Sequence, residues 1–427
     1  MNRVTRRTLF ALENAREHRV AGSFNFGGSR VSRRNKIGGG AAPAAAGTQM
    51  TPQQANLLAR QACIRMGIDM WQQIFTQTYA TGAGTVINIP LRQVGLVKRL
   101  LVRVSAQVQA NGQTLSLGPL GPTQIFSNVV LTDLSNQTRI NTAGWHLFGV
   151  ASAKRRQPYG AAFTTDTPSG YGNNFGSVFA APASITTNPA VNNVFAEFEI
   201  PCSYTDQDLR GAIYMNVTNA TAYLQLTVNP NFFVATGADA TFGVYQSSSA
   251  TLGLLPSFTV QVYQNYLDQL PQAQNGGPVL PLLDLSTAYL LNTTPISGLV
   301  ANQDVPIPYA NFRDFMSTFV IFDQGGTLNV GSDVNAWKIQ SANYTNIINV
   351  DPFTADFMSR LIFNCDPPKG TYYFDHRGKP ISTIQYGNMQ LVLNASSIAG
   401  STSALTMAYE SLALINMITQ AGSLYGT

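Results

Sequence analysis

The chain has 427 residues, of which 44% are hydrophobic but only 11% are charged. Soluble domains usually carry about 25% charged residues; here Asn, Gln, Ser, Thr and Gly take their place, and a chain with neither low hydrophobicity nor high net charge is not of the disordered class. The net charge of +5 comes from one end, since residues 1–40 hold nine basic residues and two acids (+7) and the other 387 hold 17 basic and 19 acidic residues (−2).

The basic cluster is Arg3, Arg6, Arg7, Arg16, Arg19, Arg30, Arg33, Arg34 and Lys36. Within it, Val4, Leu9, Leu12 and Val20 share one side of a short amphipathic helix over 1–21, and Gly22 is a stop signal. Residues 22–49, rich in Gly, Ala, Ser and Arg, read as a flexible linker. The segment 1–50 is therefore a basic tail. Its electrostatics suit anionic lipid, at about 1 kcal/mol per basic residue near a surface, with DNA as the alternative. A flexible segment of about 40 residues spans roughly 35 Å.

Thr51 and Pro52 supply a cap and a first helical position, and Leu57, Leu58, Ile64, Ile68 and Trp71 recur at helical spacing. This predicts a helix through about Phe75, within 51–78. From Thr85 onward short β-branched and aromatic runs alternate with Gly, Pro, Asn and Asp. One series covers 85–91, 96–108, 125–134, 194–200 and 222–228. A second covers 258–266, 319–322, 361–365, 371–374, 381–386, 389–393 and 405–409. The texture predicts an all-β protein of two sandwiches, at 79–250 and 251–427, joined near Tyr245-Gln246-Ser247-Ser248-Ser249. The segments 157–193 and 292–308 read as long surface loops.

Chemistry is sparse. Cys63, Cys202 and Cys365 are odd in number and lack metal spacing, so they read as buried free thiols of a chain folded under reducing conditions. His146, beside Trp145, reads as a packed residue of an apolar strand. Asp375, His376, Arg377 and Gly378 read as a turn between strands rather than an acid–base cluster. Asp323, Asn329 and Asp333 lack the ligand density of a calcium loop. Asn-X-Ser/Thr triplets occur at Asn216, Asn219, Asn292, Asn343 and Asn394, as chance provides in an Asn- and Thr-rich chain. There is no run of about 18 apolar residues to cross a membrane, and no apolar core of a secretory signal. Neither an enzyme nor a cofactor is expected.

Several strings carry a specific resemblance. They are Val262-Tyr263-Gln264-Asn265-Tyr266-Leu267-Asp268-Gln269-Leu270-Pro271, Gln274-Asn275-Gly276, and Leu280-Pro281-Leu282-Leu283-Asp284-Leu285-Ser286-Thr287. Gly144-Trp145-His146-Leu147, Phe322-Asp323-Gln324-Gly325-Gly326 and Gly331-Ser332-Asp333-Val334-Asn335 add to them. So do Pro368-Lys369-Gly370-Thr371-Tyr372-Tyr373, Asp375, Arg377, Lys379-Pro380-Ile381 and Gln385-Tyr386-Gly387-Asn388. In number, order and spacing, over about 51–427, they resemble the tectivirus major capsid protein family.

The resemblance implies two side-by-side eight-stranded jelly rolls, an N-terminal helix, and homotrimers that form pseudo-hexagonal capsomers. It implies an icosahedral shell around an internal membrane and double-stranded DNA, with partners that include neighbouring trimers, vertex proteins and the viral membrane. The chain is then expected in the virion, assembled in the cytoplasm of a bacterial host. The family pattern begins close to the Thr51-Pro52 helix, so it offers no guide to the tail. A secreted or surface β-sandwich attachment protein is the alternative, on the all-β texture and the Asn-X-Ser/Thr triplets.

Overall fold

A computed structural model describes residues 52–80, 85–111, 114–118, 120–155, 179–180, 184–185, 192–206, 208–217, 220–230, 232, 243–246, 251–270, 286–324, 333–343, 346–364, 367–368, 370–398 and 403–414. The basic tail and its nine Arg and Lys residues lie outside them, as do Cys365 and Asn329.

Alternation of apolar and polar side chains sets the strands of the first half. In Leu96–Asn111, the residues Leu100, Val102, Val104, Ala106 and Val108 are buried, and the intervening Ser105 and Gln107 are exposed. The main strands follow in the order Ile68–Ala80, Val86–Pro90, Leu96–Asn111, Phe126–Thr132, Thr138–Thr142, Asn192–Pro201, Tyr223–Val228 and Thr251–Asp268. They pair as two sheets, first–eighth–third–sixth and second–seventh–fourth–fifth.

The second half repeats this plan. Its strands are Thr287–Ile296, Asp304–Pro308, Arg313–Gln324, Val334–Ser341, Ile348–Val350, Thr371–Asp375, Met389–Ala395 and Ser403–Leu414. Again the order is first–eighth–third–sixth in one sheet and second–seventh–fourth–fifth in the other. Each half is thus an eight-stranded jelly roll, and the chain is a double jelly roll. Each half also carries one helix between its fifth and sixth strands, Gly144–Arg155 in the first and Pro352–Phe363 in the second.

The halves are joined through a sheet. The fifth strand of the first half runs parallel to the first strand of the second, with Ile140 opposite Leu291 and Asn141 opposite Asn292. The hydroxyls of Thr142 and Thr293 lie 2.6 Å apart across this pairing. One sheet therefore continues from one jelly roll into the other.

The first sheet of the second half is buried on both faces. Val320, Phe322, Tyr372, Phe374, Leu405, Met407 and Tyr409 enter the core of their own jelly roll. Phe319, Ile321, Tyr373, Ala408 and Leu412 join the core of the first half instead. This explains why 319–322 and 372–374 read as unbroken apolar runs, as strands covered on both sides do.

The structure departs from the sequence reading at definite places. The N-terminal helix is Pro52–Met66, not 51–78, and Ile68–Ala80 is a strand whose whole length pairs with Thr251–Asp268. Long-range pairing overrides the helical spacing of Ile68 and Trp71, as a weak local preference allows. Thr251–Asp268 pairs with Ile68–Ala80 and Leu96–Asn111, so the run 258–266 completes the first jelly roll and does not open the second series. His146 sits in the Gly144–Arg155 helix, not in a strand.

The run 361–365 is not a strand either, since Leu361 lies in the Pro352–Phe363 helix. That helix had a readable start and stop. Asp351 accepts a hydrogen bond from the Thr354 amide at 2.6 Å, Pro352 is at the first turn, and Asn364 closes it at φ 54°. Finally, 292–308 is a loop only at 297–303, because Thr287–Ile296 and Asp304–Pro308 are strands. Pro306 and Pro308 are tolerated because Asp304–Pro308 is a sheet edge.

Candidate functional site

For a chain of this architecture the features to weigh are its internal seam and its exposed apolar surface. The seam is built on the Gly144–Arg155 helix. Gly149 lies so close to the second half that a Cβ there would stand 2.7 Å from the Phe319 ring, so no larger residue fits. His146 meets the same ring edge-on at 5.6 Å between centroids.

At the end of the helix, Lys154 reaches Glu410, which is fully buried on the last strand of the second half. The ammonium is 2.6 Å from Glu410 Oε1. The Tyr289 hydroxyl donates to Oε1 and the Ser317 hydroxyl to Oε2, each at 2.9 Å. Lys154 Nζ also lies 4.4 Å from the centroid of the Tyr289 ring. A buried carboxylate is tolerated only with such a complement of charge and hydrogen bonds. Burial, followed by the Glu410 charge, drives the Tyr289 pKa well above its ordinary value, so its hydroxyl stays a donor.

A second pair reinforces the seam. Arg377 binds Asp375 through Nε–Oδ1 at 2.8 Å and Nη2–Oδ2 at 3.1 Å, and donates from Nη2 to the carbonyl of Ala153 at 3.2 Å. Burial opposes the charge on Asp375, but Arg377 outweighs it and the carboxyl pKa is lowered. Beside these groups lies a cleft of about 370 Å³ whose wall includes Arg99, Lys154, Arg155, Glu199 and Arg377. Glu199 pairs with Arg99 at 2.9 Å and also with Arg155, and Asp206 pairs with Arg99. The cleft is a lattice of matched charges.

The sequence candidates for chemistry fall into this structural setting. Asp375-His376-Arg377-Gly378 lies between the strands Thr371–Asp375 and Ile381–Ser382, as read. The Asp375 carboxylate is bound to Arg377. Burial lowers the pKa of His376 to about 4 and that of His146 to about 3, so both imidazoles are neutral. Cys63 and Cys202 are buried free thiols, and burial pushes Cys202 up to about 12. Among the described residues no group of His, Cys, Asp and Glu is placed to hold a metal, and no helix is long and apolar enough to cross a membrane.

Two exposed apolar surfaces stand out; the sequence reading singled out Leu57, Leu58, Ile68 and Trp71 of the first for their spacing, and of the second only Leu361, at the start of the run 361–365. Leu57, Leu58, Met66, Ile68, Met70 and Trp71 are exposed on the N-terminal helix and the strand after it, while Ala59 and Cys63 hold that helix down. On the Pro352–Phe363 helix, Phe353, Phe357 and Leu361 are 77%, 57% and 63% exposed. Their spacing of four makes a stripe opposite the buried Ala355, Ser359 and Phe363. Soluble monomers rarely display such patches without a partner.

The comparisons with known proteins agree with this geometry. Residues 40–270 match the family described as P3 major capsid protein N-terminal, and residues 286–425 match P3 major capsid protein C-terminal. The chain belongs to the P3 major capsid protein family. Over 394 residues it is 36% identical to the Major capsid protein P3 of Enterobacteria phage PRD1, covering 89% of this chain and 99% of that protein. The tectivirus resemblance therefore holds.

Among solved structures, the crystal structure of the STIV MCP aligns with TM-score 0.59 at 12% identity, over 83% of this chain and 99% of that one. A chain in the atomic structure of Sulfolobus Turreted Icosahedral Virus aligns with TM-score 0.56 at 14% identity, over 83% and 94%. At such identities these two speak for the fold alone. The protein is the major capsid protein of a PRD1-like phage, part of the virion shell and not an enzyme. The attachment-protein alternative is set aside by the family match.

Two outcomes follow from the seam. Lys154→Met leaves Glu410 buried without its cation and is expected to cost about 3–5 kcal/mol, most of it recovered in the Lys154→Met/Glu410→Gln double variant. Urea unfolding of Lys154→Met, Glu410→Gln and the double variant beside the parent measures this.

The buried histidines set an acid limit. Their folded pKa values lie below the unfolded 6.5, so the unfolded chain binds more protons as pH falls. Their contribution is complete above pH 6.5 and declines below it. At about pH 4.5 each histidine is expected to have lost about 3 kcal/mol. Urea midpoints at about pH 7.5 and about pH 4.5 check this, and His376→Gln should shrink the difference.

Proposed function

We propose that the chain forms a homotrimeric, pseudo-hexagonal capsomer that tiles an icosahedral shell around an internal lipid membrane enclosing double-stranded DNA. The observation that carries it is the duplicated fold. Two jelly rolls with the same strand order stand in one chain, so three chains present six similar units, as closed cyclic assemblies favour. The 36% identity to PRD1 P3 supports the same reading. The two units divide within 271–285, between the last strand of the first jelly roll and the first of the second. Neighbouring trimers and vertex proteins are the protein partners, and the host bacterial cytoplasm is the place of assembly.

The N-terminal region faces the membrane in this reading. Exposed Leu57, Leu58, Met66 and Trp71 beside the exposed Arg65 suit an interface of acyl chains and anionic headgroups. The basic residues from Arg3 to Lys36 extend that contact along the tail. Seven net charges per subunit gain further from avidity across a lattice.

Light scattering on purified protein should give a mass near three chains, and a stable monomer at high concentration would sink the capsomer reading. Removing residues 1–49 should leave that mass per assembly intact in chain number but reduce flotation with anionic liposomes. Equal flotation with and without the tail would sink the lipid contact, and retention on DNA would then decide for the alternative.

A further inference from the structure

The chain contains a jelly-roll-to-jelly-roll contact, and the equivalent helices Gly144–Arg155 and Pro352–Phe363 of its two halves allow that contact to be carried over to a second copy. Both helices are twelve residues long. Each begins two residues after the fifth strand of its half, which ends at Thr142 in one and at Val350 in the other. Gly144 therefore aligns with Pro352 and Arg155 with Phe363.

This alignment sorts the helix positions by what they touch. Gly144, Leu147 and Ala151 are buried in the first helix, and their counterparts Pro352, Ala355 and Ser359 are buried in the second. The positions that meet the other half are different ones. His146 and Gly149 pack on Phe319, and the carbonyl of Ala153 accepts from Arg377. Their counterparts are Thr354, Phe357 and Leu361, and all three are exposed. The second helix thus presents, uncovered, the face that the first helix spends on the internal seam.

The receiving surface has a counterpart as well. Phe319 lies on a third strand, between Ala408 of an eighth strand and Tyr373 of a sixth. The same row in the first half is Leu101, between Tyr263 and Glu199, followed by Arg103 between Gln261 and Glu197. These residues alternate with core positions 100, 102 and 104, so they lie on the sheet's outer face. Leu101, Arg103 and Tyr263 are half-buried there, with the Arg103 guanidinium 5.7 Å from the Tyr263 ring centroid and 5.8 Å from that of Phe195. The edges match too. Ile348–Val350, the counterpart of the strand that crosses the internal seam, ends its sheet, and Ile68–Ala80, the counterpart of Thr287–Ile296, ends the sheet that would receive it.

We infer that the Phe353, Phe357 and Leu361 stripe docks on the outer face of the first-half sheet of a second copy of this chain, around Leu101, Arg103 and Tyr263, repeating the internal seam between subunits. The contact is head-to-tail, the kind that forms a ring where its rotation closes. It rests on the capsomer reading for the number of copies but not for the surfaces. Its chemistry differs from the internal seam, because Lys154 aligns with Ile362 and no charged clasp is repeated. Two phenyl rings and a leucine meet a mixed apolar and guanidinium surface instead.

Two measurements on the full chain test this. First, F357E/L361E should weaken association by about 100-fold or more, read by sedimentation across a dilution series. The control V300E changes an exposed apolar residue elsewhere and should associate like the parent. Unchanged far-ultraviolet dichroism and urea midpoint show that the double variant is folded. A folded F357E/L361E that associates like the parent overturns the proposal.

Second, benzoylphenylalanine at position 357 is photolysed in assembled shells, which needs no destabilising change. Crosslinks to 96–111 or 251–268 of another copy are expected, with mixed isotope labelling separating them from links within one chain. Links only within one chain, to another surface, or to a different polypeptide overturn the proposal. If the parent mass is not three chains while the crosslinks fall as expected, the trimer fails and the seam stands.

Discussion

The contact on which the two-barrel architecture turns is the one between Lys154 and Glu410. Glu410 sits at zero exposure on the last strand of the second half, and its oxygens take one ammonium and two hydroxyl donors. A buried ion pair of this kind adds little to stability over an apolar replacement. It is demanding about position, because a displaced partner leaves a bare charge in a dry site. The pair therefore sets where the first-half helix ends against the second-half sheet. Arg377, which holds Asp375 and the carbonyl of Ala153, fixes the same helix end from the other side. Gly149 against Phe319 sets the distance of closest approach.

With that helix in place, the sheet of Thr287–Ile296, Ser403–Leu414, Arg313–Gln324 and Thr371–Asp375 is buried on both faces. A sheet so covered cannot slide against either neighbour without breaking its packing. The parallel pairing at Ile140 and Leu291 adds a backbone link across the join. The two jelly rolls consequently meet as parts of one packed interior rather than as beads on a linker. Such a unit suits a shell protein, whose lattice contacts have value only if the subunit holds its shape. The low charge of the chain belongs to the same logic, since charged side chains are depleted where subunits meet.

Much of this was legible in the residues. The all-β texture, the runs near 96–108, 194–200, 222–228, 371–374 and 389–393, and the turn at Asp375 to Gly378 all carry local signals of alternation or turn chemistry. The misreadings have different causes. Ile68 to Trp71 have helical spacing but are taken up by a long partner strand, Thr251–Asp268, nearly two hundred residues away. Gly144 to Arg155 has no side-chain cap that announces a helix, and its glycines lower helix propensity. The helix at Pro352–Phe363 did announce itself through Asp351 and Pro352, and was masked by the apolar run at its end.

What the sequence alone determined is the class of structure, the family, the neutral body and the basic tail, because composition, ordered motifs and charge are properties of the chain itself. What only the tertiary structure decided is which residues meet. Thr251–Asp268 belongs to the first jelly roll because its hydrogen-bond partners are there. Glu410 and Lys154 become a clasp because two strands and a helix far apart in the chain converge on them. Phe357 and Leu361 are left exposed while Gly149 and Ala153 are covered, although the two helices occupy equivalent places in the duplicated fold. Spacing along a chain reports the face a residue shares. It does not report which distant surface comes to lie on that face.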